Sequence, residues 1–352
     1  MRDFVYQAAP SRVIFGPGTL AQVGAEIERL GCTRALLLST SFQAADLAAL
    51  AHQLGPLAAG SFTQATMHTP VAVTQSALAA YDACGADCIV ALGGGSTIGL
   101  GKAIAFRNDA AQIVIATTYA GSEVTDILGQ TEDGTKTTIR DPKIRPEVVI
   151  YDPTLTTGLP VAMSVASGLN AMAHAVEGLY APDANPVTSL LAVEGIRALK
   201  EALPAIVSNP TDIGARSDAL YGSWLCGVVL GSVAMSLHHK LCHTLGGACD
   251  LPHAETHATL LPHTAAYNAN AARDALAPAA ALFGGDLAGG LHDLARQLGA
   301  PLALKDLGLA RGDLSRVADL AVSNPYANPR AVTRDGIHAL LTRAFDGARP
   351  ES

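Results

Sequence analysis

Short aliphatic runs alternate with segments of helical periodicity along the first 150 or so residues. SRVIFG precedes TLAQVGAEIERLG, RALLLS precedes SFQAADLAALAHQLG, and CIVAL precedes the pattern after GGGST, with IVIATT next. The aliphatic runs have the length and β-branched content of strands buried on both faces, and the segments between them repeat apolar residues every three or four positions. This alternation predicts βαβ units, hence a Rossmann-like parallel sheet with helices on both faces. TEDGTKTTIRDP, with Asp133-Gly134 at its centre, predicts a hairpin, and EVVIYDP a closing strand before Pro160.

From Leu159 onward the strand patterns stop. Helical periodicity runs through SVASGLNAMAHAVEGLYA, PVTSLLAVEGIRALKEALPAIV, a glycine-interrupted segment and RAVTRDGIHALLTRAF, punctuated by Gly and Pro. The pattern therefore predicts two domains, an α/β domain over residues 1–160 and an all-α domain over 161–352. A length of 352 residues with 49% hydrophobic content is enough to fill two cores.

Charge and cysteine usage narrow the function classes. Lys and Arg total 23 against 31 Asp and Glu, with no basic run, which argues against a nucleic-acid or membrane-surface partner. Any anionic ligand must be met locally. The six cysteines form neither a CxxC nor a zinc-ribbon spacing, so they read as reduced thiols in a cytoplasm. The opening MRDFVYQAAPSRVIF lacks the basic-then-apolar order of a leader. LYGSWLCGVVLGSVAMSL is apolar but broken by glycines and serines, and it reads as a buried helix instead of a membrane span.

Two loops carry candidate ligand chemistry. Gly93, Gly94, Gly95 and Ser96 directly follow a buried strand and precede a helix, where bare N–H groups and the helix dipole can cradle a phosphate. The loop is neither GxGxxG nor a P-loop, and a plain tight turn is the competing reading. Thr117, Thr118, Gly121 and Ser122 repeat the arrangement after the next strand, which points to one cleft at the sheet edge.

The helical half contributes a histidine constellation. Asn170 and His174 stand at i and i+4, so both side chains face the same way from one helix; His239 and His243 share that spacing. Gly246-Gly247 then predicts the end of the second helix, and His253 a place on the loop that follows. These groups can converge on one pocket at the inter-domain crevice. For His52, His68, His238, His257, His263, His292 and His338 the reading is an ordinary hydrogen-bonded core or surface residue.

FGPGTL, ALGGGS, TTYAGSEVT, the Asn170/His174 helix, HHKLCH with its GG and PH, and NPYANPR occur in an order that resembles the iron-dependent (group III) alcohol dehydrogenase superfamily, and within it the maleylacetate reductase branch. The resemblance spans nearly the whole chain. It implies a nicotinamide-binding domain followed by a helical domain, with the GGGS loop on the pyrophosphate, the Thr117/Thr118 loop along the cofactor, and a homodimer. Ser39 and Thr40 stand where an acidic residue would exclude a 2′-phosphate, so the expected cofactor is NADH with tolerance of NADPH.

In metal-dependent members an Asp and three His hold the ion, and the matching positions here are Asn170, His174, His239 and His253. A neutral amide is a poor ligand for a divalent cation, so the expectation is a site without metal, in which Asn170, His174 and His239 bind substrate. The resemblance implies reduction of the carbon–carbon double bond of maleylacetate to 3-oxoadipate in aromatic-compound degradation. Hydride addition to a conjugated alkene yields a delocalised enolate that hydrogen-bond donors can stabilise, and His243 and His253 are the candidates for that stabilisation and for proton return. Lys240 is a candidate partner for a carboxylate of the dicarboxylate substrate, against a solvated helix lysine, and Tyr326 could help enclose the site. The alternatives are a metal-dependent alcohol dehydrogenase, a dehydroquinate-synthase-like lyase and a nucleotide-binding protein without turnover.

Overall fold

Six strands lie parallel in one sheet: β1 (Arg12–Phe15), β2 (Ala35–Leu38), β3 (Ala58–Phe62), β4 (Cys88–Gly93), β5 (Ala111–Ala116) and, after an antiparallel pair of β6 (Ile127–Glu132) and β7 (Thr135–Arg140), β8 (Val148–Tyr151). Their order is β1-β8-β5-β4-β2-β3. This is a computed structural model describing residues 3–8, 10–132 and 135–351. The Asp133-Gly134 turn expected between β6 and β7 lies outside the described residues, although the strands it would join are paired.

The two faces of the sheet are filled by alternate residues, as the two-residue repeat of a strand requires. Leu37, Val90 and Ile113 pack with Val23, Ile27, Leu47 and Leu50 of helices α1 (Val23–Arg29) and α2 (Ala44–Leu54). Leu36, Leu38, Ile89, Ala91 and Val114 face the other way, onto α3 (Val71–Cys84) and α4 (Gly95–Asn108). Each such leucine or isoleucine withdrawn from water contributes about 1.5–3 kcal/mol. The strand order reverses between β2 and β4, which places a crevice at the carboxyl ends of those strands. Residues 9–159 make up this α/β unit.

The other unit, residues 1–8 and 160–352, is helical. Its helices are α5 (Val161–Leu179), α6 (Pro186–Ser208), α7 (Ile213–Ser232), α8 (Leu237–Cys249), α9 (His253–Asn268), α10 (Arg273–Ala281), α11 (Leu287–Gln297), α12 (Asp313–Val322) and α13 (Arg334–Asp346). α5 is the central element: every residue from Ser164 to Leu179 is buried. Side-chain caps fix several starts, with Asn185 closing a capping box at α6 and Asp212 accepting from Ala215 N at α7. α6 and α7 approach closely because Gly195 and Gly222 face each other; a Cβ on Gly195 would stand 2.7 Å from Cys226 Sγ and 3.2 Å from Gly222 O.

Two local expectations are corrected. Gly246-Gly247 does not end α8, which continues to Cys249 and stops at Asp250, left-handed at φ 53°. Glycine costs a helix interior only about 1 kcal/mol, and here the continuing packing outweighs it. His253 is not on a loop: it opens α9, behind Pro252 in extended conformation. Among the described residues no single helix is long and apolar enough to cross a membrane. The apolar stretch is divided between α7 and α8, bent by 94°, and Leu220, Val229, Leu237 and Leu241 are fully buried.

The glycines separate into two kinds with opposite expected responses. Gly195→Ala should destabilise the protein by about 1–3 kcal/mol, because it forces α6 from α7. Gly247→Ala, where a Cβ would meet nothing within 4 Å, should stabilise it by about 0.5–1 kcal/mol. Urea unfolding of both variants, monitored by circular dichroism, reads the two directions.

Candidate functional site

At the carboxyl ends of β4 and β5 the two polar loops touch. Thr117 N donates to Gly93 O at 3.1 Å, and a Cβ on Gly94 would stand 2.6 Å from Thr118 Cγ2. Gly93 is equally confined, with Thr97 Oγ1 2.4 Å from its would-be Cβ. These two glycines are therefore required by the packing of the loops. Gly95 is different: it is exposed, and a Cβ there would meet no protein atom within 4 Å. Bare backbone at Gly95 and half-buried Ser96, in the first turn of α4, leaves unpaired N–H groups and room in front of them, which fits the phosphates of a dinucleotide.

The neighbouring loop after β2 closes this rim. Ser39 is buried and its hydroxyl donates to Thr40 O at 3.0 Å, while its backbone ties β2 to the end of β3 through Phe62 O and Ala65 N. Thr40 is half-buried beside it. Gln43, which the sequence pattern did not single out, donates from Nε2 to Thr117 Oγ1 at 3.0 Å and so joins this loop to the one after β5. Thr118 and Ser122 are half-buried on that second loop.

In the helical unit, Asn170, His174 and His239 are 4–7% exposed and stand on facing helices α5 and α8. His174 Nδ1 and His239 Nε2 are 2.8 Å apart. The other ring nitrogen of His239, Nδ1, donates to Glu177 Oε2 at 2.5 Å, which leaves Nε2 as the nitrogen with a lone pair. Glu177 Oε1 also accepts from His238 N at 2.7 Å. Burial alone would push the Glu177 carboxyl up, but the hydrogen bond from His239 and the neighbouring imidazoles reverse this and hold it at about 2. It is an anion at every ordinary pH.

From this anchored pair the imidazoles continue outward. His243 lies 6.3 Å from His239 and 6.4 Å from His253, centroid to centroid; both His243 and His253 are exposed. His253 in turn lies tilted against His257, with ring centroids 4.4 Å apart. His238 and His257, read from sequence as ordinary hydrogen-bonded residues, are buried in the same cluster, with His238 bonded to Thr264 Oγ1 and His257 Nδ1. Burial, then the neighbouring imidazoles, lowers His238 to about 3 and holds His257 well below the usual imidazole range, so both are neutral. His238, Cys242 and His257 bring their potential ligand atoms within 4.8 Å of one another, with His238 Nε2 hydrogen-bonded to both of the others.

Lys240 is half-buried on α8. Tyr326 is half-buried against the core cluster that includes Leu237 and Leu241, its hydroxyl buried without a partner, and burial and then the Glu177 charge push it up. Its segment is held by a pair of amides: Asn268 and Asn328 exchange hydrogen bonds of 3.0 and 2.8 Å, and Ser236 Oγ donates to Asn328 Oδ1. Glu177, Asn268 and Asn328 were not anticipated; Glu177, three residues after His174 on the same face, had a readable spacing.

The comparisons with known proteins cover both units. The model described as iron-containing alcohol dehydrogenase matches residues 10–153, and that of the C-terminal part of the Fe-containing alcohol dehydrogenase family matches 164–345. A maleylacetate reductase of Rhizobium sp. (strain MTP-10005) is 64% identical over 351 residues, the full length of both chains. A crystal structure of maleylacetate reductase from Agrobacterium tumefaciens superposes with a TM-score of 0.97 at 64% identity, covering 99% of this chain and 100% of that one. An iron-containing alcohol dehydrogenase from Corynebacterium glutamicum gives 0.94 at 42% identity, covering 99% and 98%.

These matches correct the expectation of a site without metal, because the family is iron-containing and implies a metal cofactor. The neutral amide at position 170 does not leave the site without negative charge, because the buried Glu177 supplies an anion through His239. Asn170 Oδ1 is buried with no hydrogen-bond partner, so an oxygen lone pair stands ready one turn before His174 on the same helix. The donor set fits a divalent ion held by Asn170, His174 and His239, with His253 at the start of α9. With both family models matched and the likeness running end to end, this oxidoreductase belongs to the iron-containing alcohol dehydrogenase family.

Proposed function

We propose that the chain is a maleylacetate reductase, using NADH and tolerating NADPH to reduce the carbon–carbon double bond of maleylacetate and of substituted maleylacetates to the corresponding 3-oxoadipates. The observation that carries this reading is the 64% identity to a maleylacetate reductase over the full length of both chains. Identity of that extent takes in the glycine loop and the histidine cluster together.

When bound, the nicotinamide supplies the hydride and the metal a positive charge for the substrate's carbonyl oxygen. The chain's own residues do the rest. Glu177 fixes one tautomer of His239, so that its Nε2 faces His174 as an acceptor. His243 and His253 are the exposed members of the cluster, placed to hydrogen-bond the enolate oxygen and to return a proton to carbon. Two carboxylates must be met in a chain of net charge −8, and Lys240 is the cation beside these imidazoles in sequence. Tyr326, pinned by the Asn268–Asn328 pair, encloses the site from the segment before α13. Ser39, Thr40, Gly93, Gly94, Gly95, Ser96, Thr117, Thr118 and Ser122 form the cofactor rim, with no carboxylate at Ser39 or Thr40 to repel a 2′-phosphate. The exposed Phe4, Val5 and Tyr6 support pairing of two copies into a homodimer, and the six unpaired cysteines suit a reducing cytoplasm.

Following NADH absorbance with maleylacetate and, separately, with simple aldehydes tests the assignment. Maleylacetate should be turned over and 3-oxoadipate formed; turnover of aldehydes alone would defeat the reading. Glu177→Gln should lower kcat about 10- to 100-fold, because the amide cannot hold His239 in one tautomer, with the fold checked by circular dichroism. Asn170→Asp should raise affinity for Fe²⁺ or Zn²⁺ at least about tenfold by adding an anionic oxygen to the donor set, as read by competition with a chromogenic chelator.

A further inference from the structure

We propose that Lys102 is a positioning residue for the nicotinamide cofactor, tethering the loop after β5 to the helix that begins at the glycine loop. The inference rests on the reading that these two loops hold that cofactor. Lys102 sits on α4 two turns beyond Gly95, and only 1% of it is exposed. Its Nζ lies 2.6 Å from Ser122 O, 2.8 Å from Thr125 O, 2.9 Å from Thr125 Oγ1 and 3.0 Å from Ile127 O. An ammonium has three N–H groups, and four oxygens of a single short segment surround them.

The segment from Thr117 to Asp126 has little regular structure beyond one 3-10 turn at Ser122–Val124, entered through Gly121 in the left-handed region. Its backbone carbonyls need donors from elsewhere. Lys102 provides them from the same helix whose first turn faces the phosphate position, so one rigid element sets both loops. Two further ties fix the opposite end of the segment: Gln43 Nε2 on Thr117 Oγ1, and Thr118 seated on Gly94.

A merely space-filling role does not account for this residue. A buried cation costs several kcal/mol of desolvation, and an apolar side chain of the same length would pack at less cost. Burial indeed lowers Lys102 to about 7, opposed by Glu123 and Asp126 and assisted by Arg145. Glu123, whose charge opposes that lowering, is engaged by Tyr151 OH at 2.8 Å, and none of the four oxygens on Nζ belongs to a carboxylate. What the ammonium organises is the path of the loop backbone.

The test measures NADH dissociation constants by calorimetry for the wild type, Lys102→Met and Thr125→Val, with amide hydrogen exchange over residues 117–127. Lys102→Met should weaken NADH binding at least tenfold and speed exchange in that segment at least tenfold, while β4 and β5 keep wild-type protection. Thr125→Val, which removes one acceptor and leaves the lysine, should show the same pattern to a smaller extent, about threefold. A folded Lys102→Met protein that binds NADH within twofold of wild type overturns the proposal, as does acceleration spread evenly over the α/β unit. Should Lys102→Met fail to fold, Thr125→Val decides: unchanged NADH affinity and exchange overturn the tether. Wild-type protein that binds neither NADH nor NADPH overturns the cofactor reading itself, and the tether with it.

Discussion

The hydrogen bond from His239 to the buried carboxylate of Glu177 is the constraint on which the helical unit's chemistry depends. A carboxylate taken out of water is costly unless its oxygens are met by donors, and here an imidazole N–H and the backbone N–H groups at the start of α8 meet them. The cost is recovered as orientation. Because α5 is buried along nearly its whole length, Glu177 cannot turn to solvent, and the first turn of α8 must dock where its N–H groups reach the carboxylate. The position of α8, the tautomer of His239 and the proximity of His174 follow from one charge. The same charge provides electrostatic support for a cation among neutral donors, which is why a neutral amide at position 170 does not by itself exclude an ion.

Glycine acts in this protein in three physically distinct ways, and only one leaves open backbone in front of a ligand. Gly195 and Gly222 let two helix backbones approach, and Gly93 and Gly94 let two loops pack on Thr97 and Thr118. Gly95 does neither, and its open surroundings are what distinguish a phosphate cradle from a tight turn. A triple glycine in sequence conveys none of these distinctions, since the three residues are chemically identical and what each packs on is set by the fold.

The parallel sheet and the helical half were legible because strands such as RALLLS and CIVAL bury both faces and leave uninterrupted aliphatic runs. β3 was not, since AAGSF at the sheet edge carries four small residues before its one large apolar residue, Phe62, and α3, with few large apolar residues, has a weak face. The paired spacings of Asn170/His174 and His239/His243 brought the right helices to notice. The end of α8 was misjudged because glycine propensity is a local penalty that packing of Leu241 and Leu245 in the core overrides. Glu177, Gln43, Lys102 and the Asn268–Asn328 pair escaped notice for a common reason. Each works through a partner distant in sequence, so no local pattern marks it, apart from the i+3 offset of Glu177 from His174.

Each unit thus solves a similar problem with a charge of opposite sign. Glu177 is an anion that collects N–H donors from a helix start; Lys102 is a cation that collects carbonyl oxygens from an irregular loop. In both places the groups collected belong to backbone that lacks regular partners, at the first turn of a helix or in a loop, and in both places that backbone carries residues of the proposed site. An apolar replacement would bury more comfortably but would leave those N–H and C=O groups unpaired, each at a cost of about 1–3 kcal/mol. The buried charges are therefore compatible with stability only where they organise several backbone groups at once. That requirement ties them to the irregular segments on which catalysis and cofactor binding rely.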